Sequence, residues 1–219
     1  MDNGVLYSHE SIYINFVPNE GIMKIILASG SPRRKEILEG LGVSFTVLSA
    51  DTDETCSIPC PEEYAMELAR RKGQAAWAKI KQQLKNGIDD TDAVIISADT
   101  VVATNTEILG KPKNADDAYR MLRHLSGTDH IVVTGIGITV GGVTSTSFCT
   151  TQVHVSPIPD EEIRKYVASG DPMDKAGAYG IQGEFSKWIV GINGCYFNVV
   201  GLPTYTLNRL FYEVTGEHI

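Results

Sequence analysis

Cysteine is scarce in this chain: Cys56, Cys60, Cys149 and Cys195 are the only four in 219 residues. Cys56 and Cys60 flank Pro59, yet no second cysteine pair or nearby histidine completes a zinc ligand set. The five histidines show no metal-ligand spacing either. All four cysteines therefore read as reduced thiols, and catalysis through a Ser–His or Cys–His pair has no support. Basic excess is also missing. Nineteen Lys and Arg against 27 Asp and Glu leave a net charge of −8, which opposes binding to duplex nucleic acid. No apolar run approaches the length of a transmembrane helix, so no membrane partner is expected. The start, Met1 to Gly4, lacks the basic residues and apolar core of a signal peptide, and no arginine-rich transit peptide follows. The expected localisation is cytoplasmic. Two phosphate-loop signatures are absent as well. Gly110-Lys111-Pro112 lacks the second glycine and the Ser/Thr of a Walker A loop, and Gly135-Ile136-Gly137 lacks the third glycine of a dinucleotide fingerprint.

What is present is enough apolar residue, 42%, for one sizeable core or two lobes around a cleft. Residues 1–21 are polar and aperiodic and read as an N-terminal extension, leaving 22–219 as the folded domain. Met23 to Leu27 predicts a strand, followed by a helix through Leu41 with Gly42 as its C-terminal cap. Val43 to Leu48 predicts a second strand, and Asp51 to Glu54 an acidic loop. A long helix is expected over Pro61 to Leu84, with an apolar stripe of Ala65, Leu68, Ala69, Ala76 and Ile80. Lys72 falls on that stripe. Either its stem is buried with the ammonium snorkelling to water, or the ammonium is aimed into a cleft.

Asn86 to Asp92 reads as a polar connection. Ala93 to Ser97 predicts a central strand that continues to Ala103, with a hairpin turn near Asn105. Asn114 caps a short helix ending at Ser126-Gly127. Two long strands, 130–140 and 145–155, join through Gly141-Gly142. Pro157 to Ser169 predicts a helix, Gly170 to Gly183 a glycine-rich loop, Tyr196 to Val200 a strand and Pro203 to Tyr212 a closing helix. Strand–helix units mixed with hairpins predict an α/β fold with a mixed twisted sheet and flanking helices.

Four places carry chemistry. In Ser29-Gly30-Ser31-Pro32-Arg33-Arg34, Ser31 is a good N-cap and Pro32 suits the first helical position. Arg33 and Arg34 then lie by the positive end of a helix dipole, which favours anions and disfavours cations. Two arginines there predict a bound anion, most simply a phosphate chain. Asp99 ends an apolar strand at the sheet's carboxyl edge, where ligands of open α/β sheets bind. A carboxylate there needs a partner, a hydrogen bond or a metal. Glu54 and Lys111 are loop residues that gain meaning only in company. Together the cations suit a polyphosphate, and the carboxylates suit a divalent metal or activation of water. That set serves to cut a phosphoanhydride.

Leu27 to Arg34, Asp53-Glu54, Arg70-Arg71-Lys72, Ala98-Asp99-Thr100, Gly110-Lys111-Pro112 and Asp174 to Gly183 resemble the Maf family of nucleotide pyrophosphatases in order and spacing, over about Met23 to Leu210. The resemblance implies two lobes around a deep cleft, usually in a homodimer. It also implies hydrolysis of a nucleoside triphosphate to monophosphate and pyrophosphate with a divalent metal, Mg²⁺ or Mn²⁺. Arg33-Arg34 and Gly180-Ile181-Gln182-Gly183 look like the dTTP/UTP branch. The alternatives are a pyrophosphatase for another base, such as 7-methyl-GTP or a modified nucleotide, and a non-enzymatic regulator of septum formation. Departures are Ser97, where a glycine is common, and Thr52, where an apolar residue is common. The expected substrate-binding residues are Ser29, Gly30, Ser31, Arg33, Arg34, Thr100 and Gln182. The expected catalytic residues are Asp99, Glu54, Lys72 and Lys111, with Glu54 and Asp99 also holding the metal. Gln182 offers donor and acceptor to the O4/N3 edge of thymine or uracil.

Overall fold

The computed structural model describes residues 23–50, 52–84 and 93–219. The extension at 1–21, Asp51 of the acidic loop and the connection Asn86 to Asp92 lie outside the described residues. In chain order the elements are β1 (Lys24–Leu27), α1 (Pro32–Gly40), β2 (Phe45–Val47), α2 (Pro61–Leu84), β3 (Ala93–Ala103), β4 (Ile108–Leu109), α3 (Ala115–Leu125), β5 (Asp129–Val140), β6 (Val143–Val155), α4 (Asp160–Ala168), β7 (Ile189–Asn193), α5 (Tyr196–Val200) and α6 (Thr204–Thr215).

Local chemistry explains most of these boundaries. Helix α1 stops in a Schellman turn: Gly42 adopts φ +75, its N–H donates to Glu39 O, and Val43 N–H donates to Leu38 O. Helix α3 starts where the Asn114 side chain accepts from the Asp117 N–H at 2.9 Å. Strands β5 and β6 turn through two residues of positive φ, Gly141 and Gly142, as a tight hairpin requires.

The seven strands form one sheet in the order β2-β1-β3-β5-β6-β7, with β4 also on β3. β1 runs parallel to β2 and β3, and every other pairing is antiparallel. β5 pairs β3 from Ile95 to Ala103. On the opposite edge of β3, pairing with β1 ends at Ile96 and pairing with β4 begins at Val102. Residues 97–101 of β3 therefore face a gap in the sheet. This gap positions the site.

Helix α2 covers one face, and small residues let it lie close. A Cβ on Gly135 would sit 2.3 Å from the Ala65 backbone, and one on Gly73 2.4 Å from Thr139 Oγ1. The Gly135-Ile136-Gly137 pattern is thus a seam for α2, not a nucleotide fingerprint. Ser97, the departure from glycine, donates its hydroxyl to Ala69 O of α2 at 2.7 Å. On the other face, Leu38, Leu202, Leu207 and Phe211 pack with Leu27, Ile96 and Ile136. A separate cluster gathers Met121, Leu122, Leu125, Ile163 and Tyr166 on Val102, Val132 and Val153. Fully burying each such aliphatic side chain contributes about 1.5–3 kcal/mol. Residues of both clusters line one cavity.

Two expectations need correction. Tyr196–Val200 is a short helix, α5, rather than a strand. Its Asn198 is buried and tied to the sheet by its side chain: the side-chain oxygen accepts from Thr134 N–H, and the amide donates to Val132 O and Thr151 Oγ1. The missing strand is instead Ile189–Asn193, on the outer edge beside β6. The expected loop up to Gly183 holds two 3₁₀ turns, Asp171–Asp174 and Ala176–Ala178.

Candidate active site

Asp99 lies in the middle of β3, opposite Gly135 of β5, rather than at the end of a strand. It is nonetheless at an edge, because the sheet gap opens beside it. Along β3 the side chains alternate faces. Asp99 turns to the α2 face and Thr100 to the α1 face. Lys72 Nζ of α2 donates to Asp99 Oδ1 at 2.5 Å and lies 2.8 Å from Glu54 Oε1. Its ammonium therefore points into the cleft, which decides between the two readings of that lysine. Burial pushes the Glu54 carboxyl up, but the hydrogen bond and charge of Lys72, with the charges of Lys111 and Arg34, hold it below its ordinary value.

Glu54 belongs to a loop without regular structure, and α2 fixes that loop in place. Arg71 Nη1 donates to Asp53 O at 3.1 Å and to Thr55 O at 2.8 Å, bracketing Glu54. Glu67 in turn accepts from both Arg71 and Arg70. The Thr55 N–H donates to Asp53 Oδ1 at 2.8 Å, closing an Asx turn around the same residue. Asp53 and Arg71, both in recognised motifs, thus act on the shape of the Glu54 loop.

The two arginines of α1 have different surroundings. Arg34 is 9% exposed. It donates to Gly201 O, Ser29 Oγ, Ala98 O and Thr100 Oγ1 at 2.8–3.0 Å. Four of its five N–H groups are thereby engaged. Burial lowers its pKa, and the Asp99 charge counters this. Because Ala98 lies at the sheet gap, the guanidinium satisfies a carbonyl that a neighbouring strand would otherwise have bonded. Arg33 faces the cavity and donates to Asp174 Oδ2 at 3.0 Å. Ser31 sits at the N-cap position but its side chain makes no capping bond, correcting that expectation. Ser29 is the organiser instead, its Oγ accepting from the Ser31 N–H and from Arg34. The start of α1 is left without a side-chain cap, so its first N–H groups are available to an anion.

The far wall is the loop 170–183. Asp171, Asp174, Lys175, Tyr179 and Gln182 line the cavity, and of these only Gln182 was expected. Lys175 Nζ lies 3.0 Å from Asp171 Oδ1 and 2.7 Å from Asp174 Oδ1. Asp174 joins Lys175 to Arg33; burial raises its pKa, but those two cations hold it below its ordinary value. The Gly177 N–H donates to Gly110 O, tying this loop to the turn that carries Lys111. Gly177 has φ +66, and a Cβ there would meet the Val102 side chain at 2.7 Å, so only glycine fits. The signal for this wall was two acids and a lysine amid small residues.

All eleven expected site residues, Ser29, Gly30, Ser31, Arg33, Arg34, Glu54, Lys72, Asp99, Thr100, Lys111 and Gln182, line a single cavity of about 690 Å³. Glu54 and Asp99 present hard oxygen donors of the kind Mg²⁺ and Mn²⁺ take. Among the described residues no group of three or more metal-binding side chains exists. A metal held here therefore draws most of its shell from water and phosphate, as Mg²⁺ commonly does. The four cysteines are free thiols. Among the described residues no helix is long and apolar enough to cross a membrane.

A family model described as Maf-like protein matches residues 24–214. A dTTP/UTP pyrophosphatase of Clostridium botulinum (strain Kyoto / Type A2) is 44% identical over 195 residues, covering 87% of this chain and 96% of that protein. The protein of the same description from Agathobacter rectalis is 45% identical over 199 residues, covering 87% and 96%. That from Pseudoalteromonas atlantica is 43% identical over 196 residues, covering 89% and 98%. With the family's motifs meeting at one cleft and its model spanning most of the sequence, the chain belongs to the Maf-like protein family.

Proposed function

We propose that the cleft hydrolyses dTTP and UTP to the monophosphate and pyrophosphate, with a divalent metal at Glu54 and Asp99, in a cytoplasmic homodimer. One observation carries the reading. A single cavity gathers the uncapped start of α1, the cations Arg33, Lys72 and Lys111, and the carboxylates Glu54 and Asp99. The names of the relatives supply the base preference. Arg33 and the N–H groups of the Ser29 to Arg33 loop bind the triphosphate. Arg34 holds that loop in shape and offers its remaining N–H. Asp99 accepts the proton of the attacking water as the bond between the α- and β-phosphoryl groups breaks. Lys72 and Lys111 neutralise charge building on the departing pyrophosphate. A bound Mg²⁺ or Mn²⁺ supplies charge withdrawal from phosphate oxygens. Gln182 meets the O4/N3 edge of the base through its amide.

A panel of nucleoside triphosphates, assayed for pyrophosphate with Mg²⁺, with Mn²⁺ and with chelator, tests this. Turnover of dTTP and UTP that stops with chelator is expected. Preferred turnover of 7-methyl-GTP would overturn the base assignment. Silence across the panel would leave a non-enzymatic role in septum formation. Light scattering at twice the monomer mass tests the dimer.

A further inference from the structure

We propose that Lys72 is a resident cation: without nucleotide its ammonium closes the Glu54–Asp99 pair to free divalent metal, and only metal arriving with the triphosphate enters. The inference rests on the metal reading above and adds an order of events to it. Two observations meet here. Lys72 already contacts both carboxylates, at 2.5 and 2.8 Å, and its side chain is only 16% exposed. Among the described residues, these two carboxylates have no third metal-binding side chain beside them.

A bare Mg²⁺ entering this place gives up bound waters that it releases reluctantly, and gains only two carboxylate ligands among the described residues. It must also displace an ammonium that the fold holds at the spot, partly shielded from solvent and salt. Once Lys72 moves aside, two carboxylates face each other and repel unless the ion arrives at the same moment. A triphosphate changes each of these conditions. Its oxygens complete the metal's shell, and they give the Lys72 ammonium new anionic partners in the same cavity. The exchange of one cation for another then favours the metal. Lys72 so prevents non-productive metal binding and delivers its charge to the phosphates when they arrive.

Binding of Mn²⁺, followed by the loss of the free-ion signal in electron paramagnetic resonance, tests this without turnover. Three proteins are titrated without nucleotide: wild type, K72M, and K72R, which keeps a cation. K72Q serves if K72M does not fold, as judged by circular dichroism. The expected result is weak binding by wild type and K72R and at least ten-fold tighter binding by K72M. Adding D99N to K72M should remove the gain, and adding non-hydrolysable α,β-imido-dUTP to wild type should tighten Mn²⁺ binding beyond what the analogue captures in a protein-free control. Equal affinity of wild type and K72M overturns the proposal, as does tight binding by wild type alone. If neither the analogue nor K72M produces binding that D99N weakens, the carboxylates are not the metal site, and the reading beneath the proposal falls instead.

Discussion

At Asp99 and Gln182 the consequences of a single side chain are sharpest. Replacing Asp99 with Asn keeps the shape but removes the proton acceptor, so kcat should fall about 10²- to 10⁴-fold with the melting temperature little changed. Turnover within two-fold of wild type would refute the role of Asp99. Exchanging Gln182 for Glu removes its donor, so kcat/KM for dTTP and UTP should drop relative to other bases. An unchanged ranking in the triphosphate panel would take Gln182 out of base reading. His130 is a different case, behind the cavity wall rather than in its lining. It is 3% exposed, its Nε2 lies 2.6 Å from Tyr179 Oη, and its Nδ1 has no hydrogen-bond partner among the described residues. Burial pushes its pKa down to about 4 from 6.5, with Asp129 opposing. A base with a depressed folded pKa takes up its proton more readily when unfolded. The stability it contributes is therefore complete above its unfolded pKa and falls as pH drops toward the folded value, by about 3 kcal/mol at most. Chemical denaturation between pH 7 and 4 should show this limb in wild type and lose it in H130Q. Identical slopes would refute the assignment.

Among the elements, α2 has the most demanding fit, since Gly135 admits the Ala65 backbone where a Cβ would stand at 2.3 Å. Gly135→Ala should lift α2, destabilise the protein by about 1–3 kcal/mol or more, and lower activity because Lys72 and the Arg71-held Glu54 loop ride on that helix. Gly40→Ala is the control: nothing lies within 4 Å of its Cβ, and alanine suits a helix better. Melting curves of the two variants decide it; equal losses would refute the seam. The same element shows how legible the sequence is. The apolar stripe and the acidic first turn of α2 gave its span directly, because helical periodicity is a local property. Tyr196–Val200 misled, because Val199 and Val200 favour strands while Asn198 binds β5 from a distant part of the chain. Such a tertiary preference has no local signature.

At the scale of the whole molecule, a net charge of −8 surrounds a cleft fitted with arginines and lysines. A small chelated polyanion can enter such a cleft, whereas a duplex meets the acidic exterior first. A fluorescent DNA duplex should therefore show no anisotropy change with micromolar protein at physiological salt; a salt-sensitive rise would contradict this. That these charged residues would share one cavity was readable in the sequence, because charges on an apolar strand, on an apolar helical stripe and at a helix start stand out from their surroundings. The site's internal wiring was not. Nothing local indicates that Arg34 bonds the protein while Arg33 faces the cavity, since neighbours on a helix look alike until the sheet is built around them.

The guanidinium of Arg34 joins the turn after β1, the middle of β3 and the carbonyl of Gly201. A ribosome delivers those three pieces far apart in time. Gly201 comes last of the three, so Arg34 has its full set of partners only when synthesis is nearly finished.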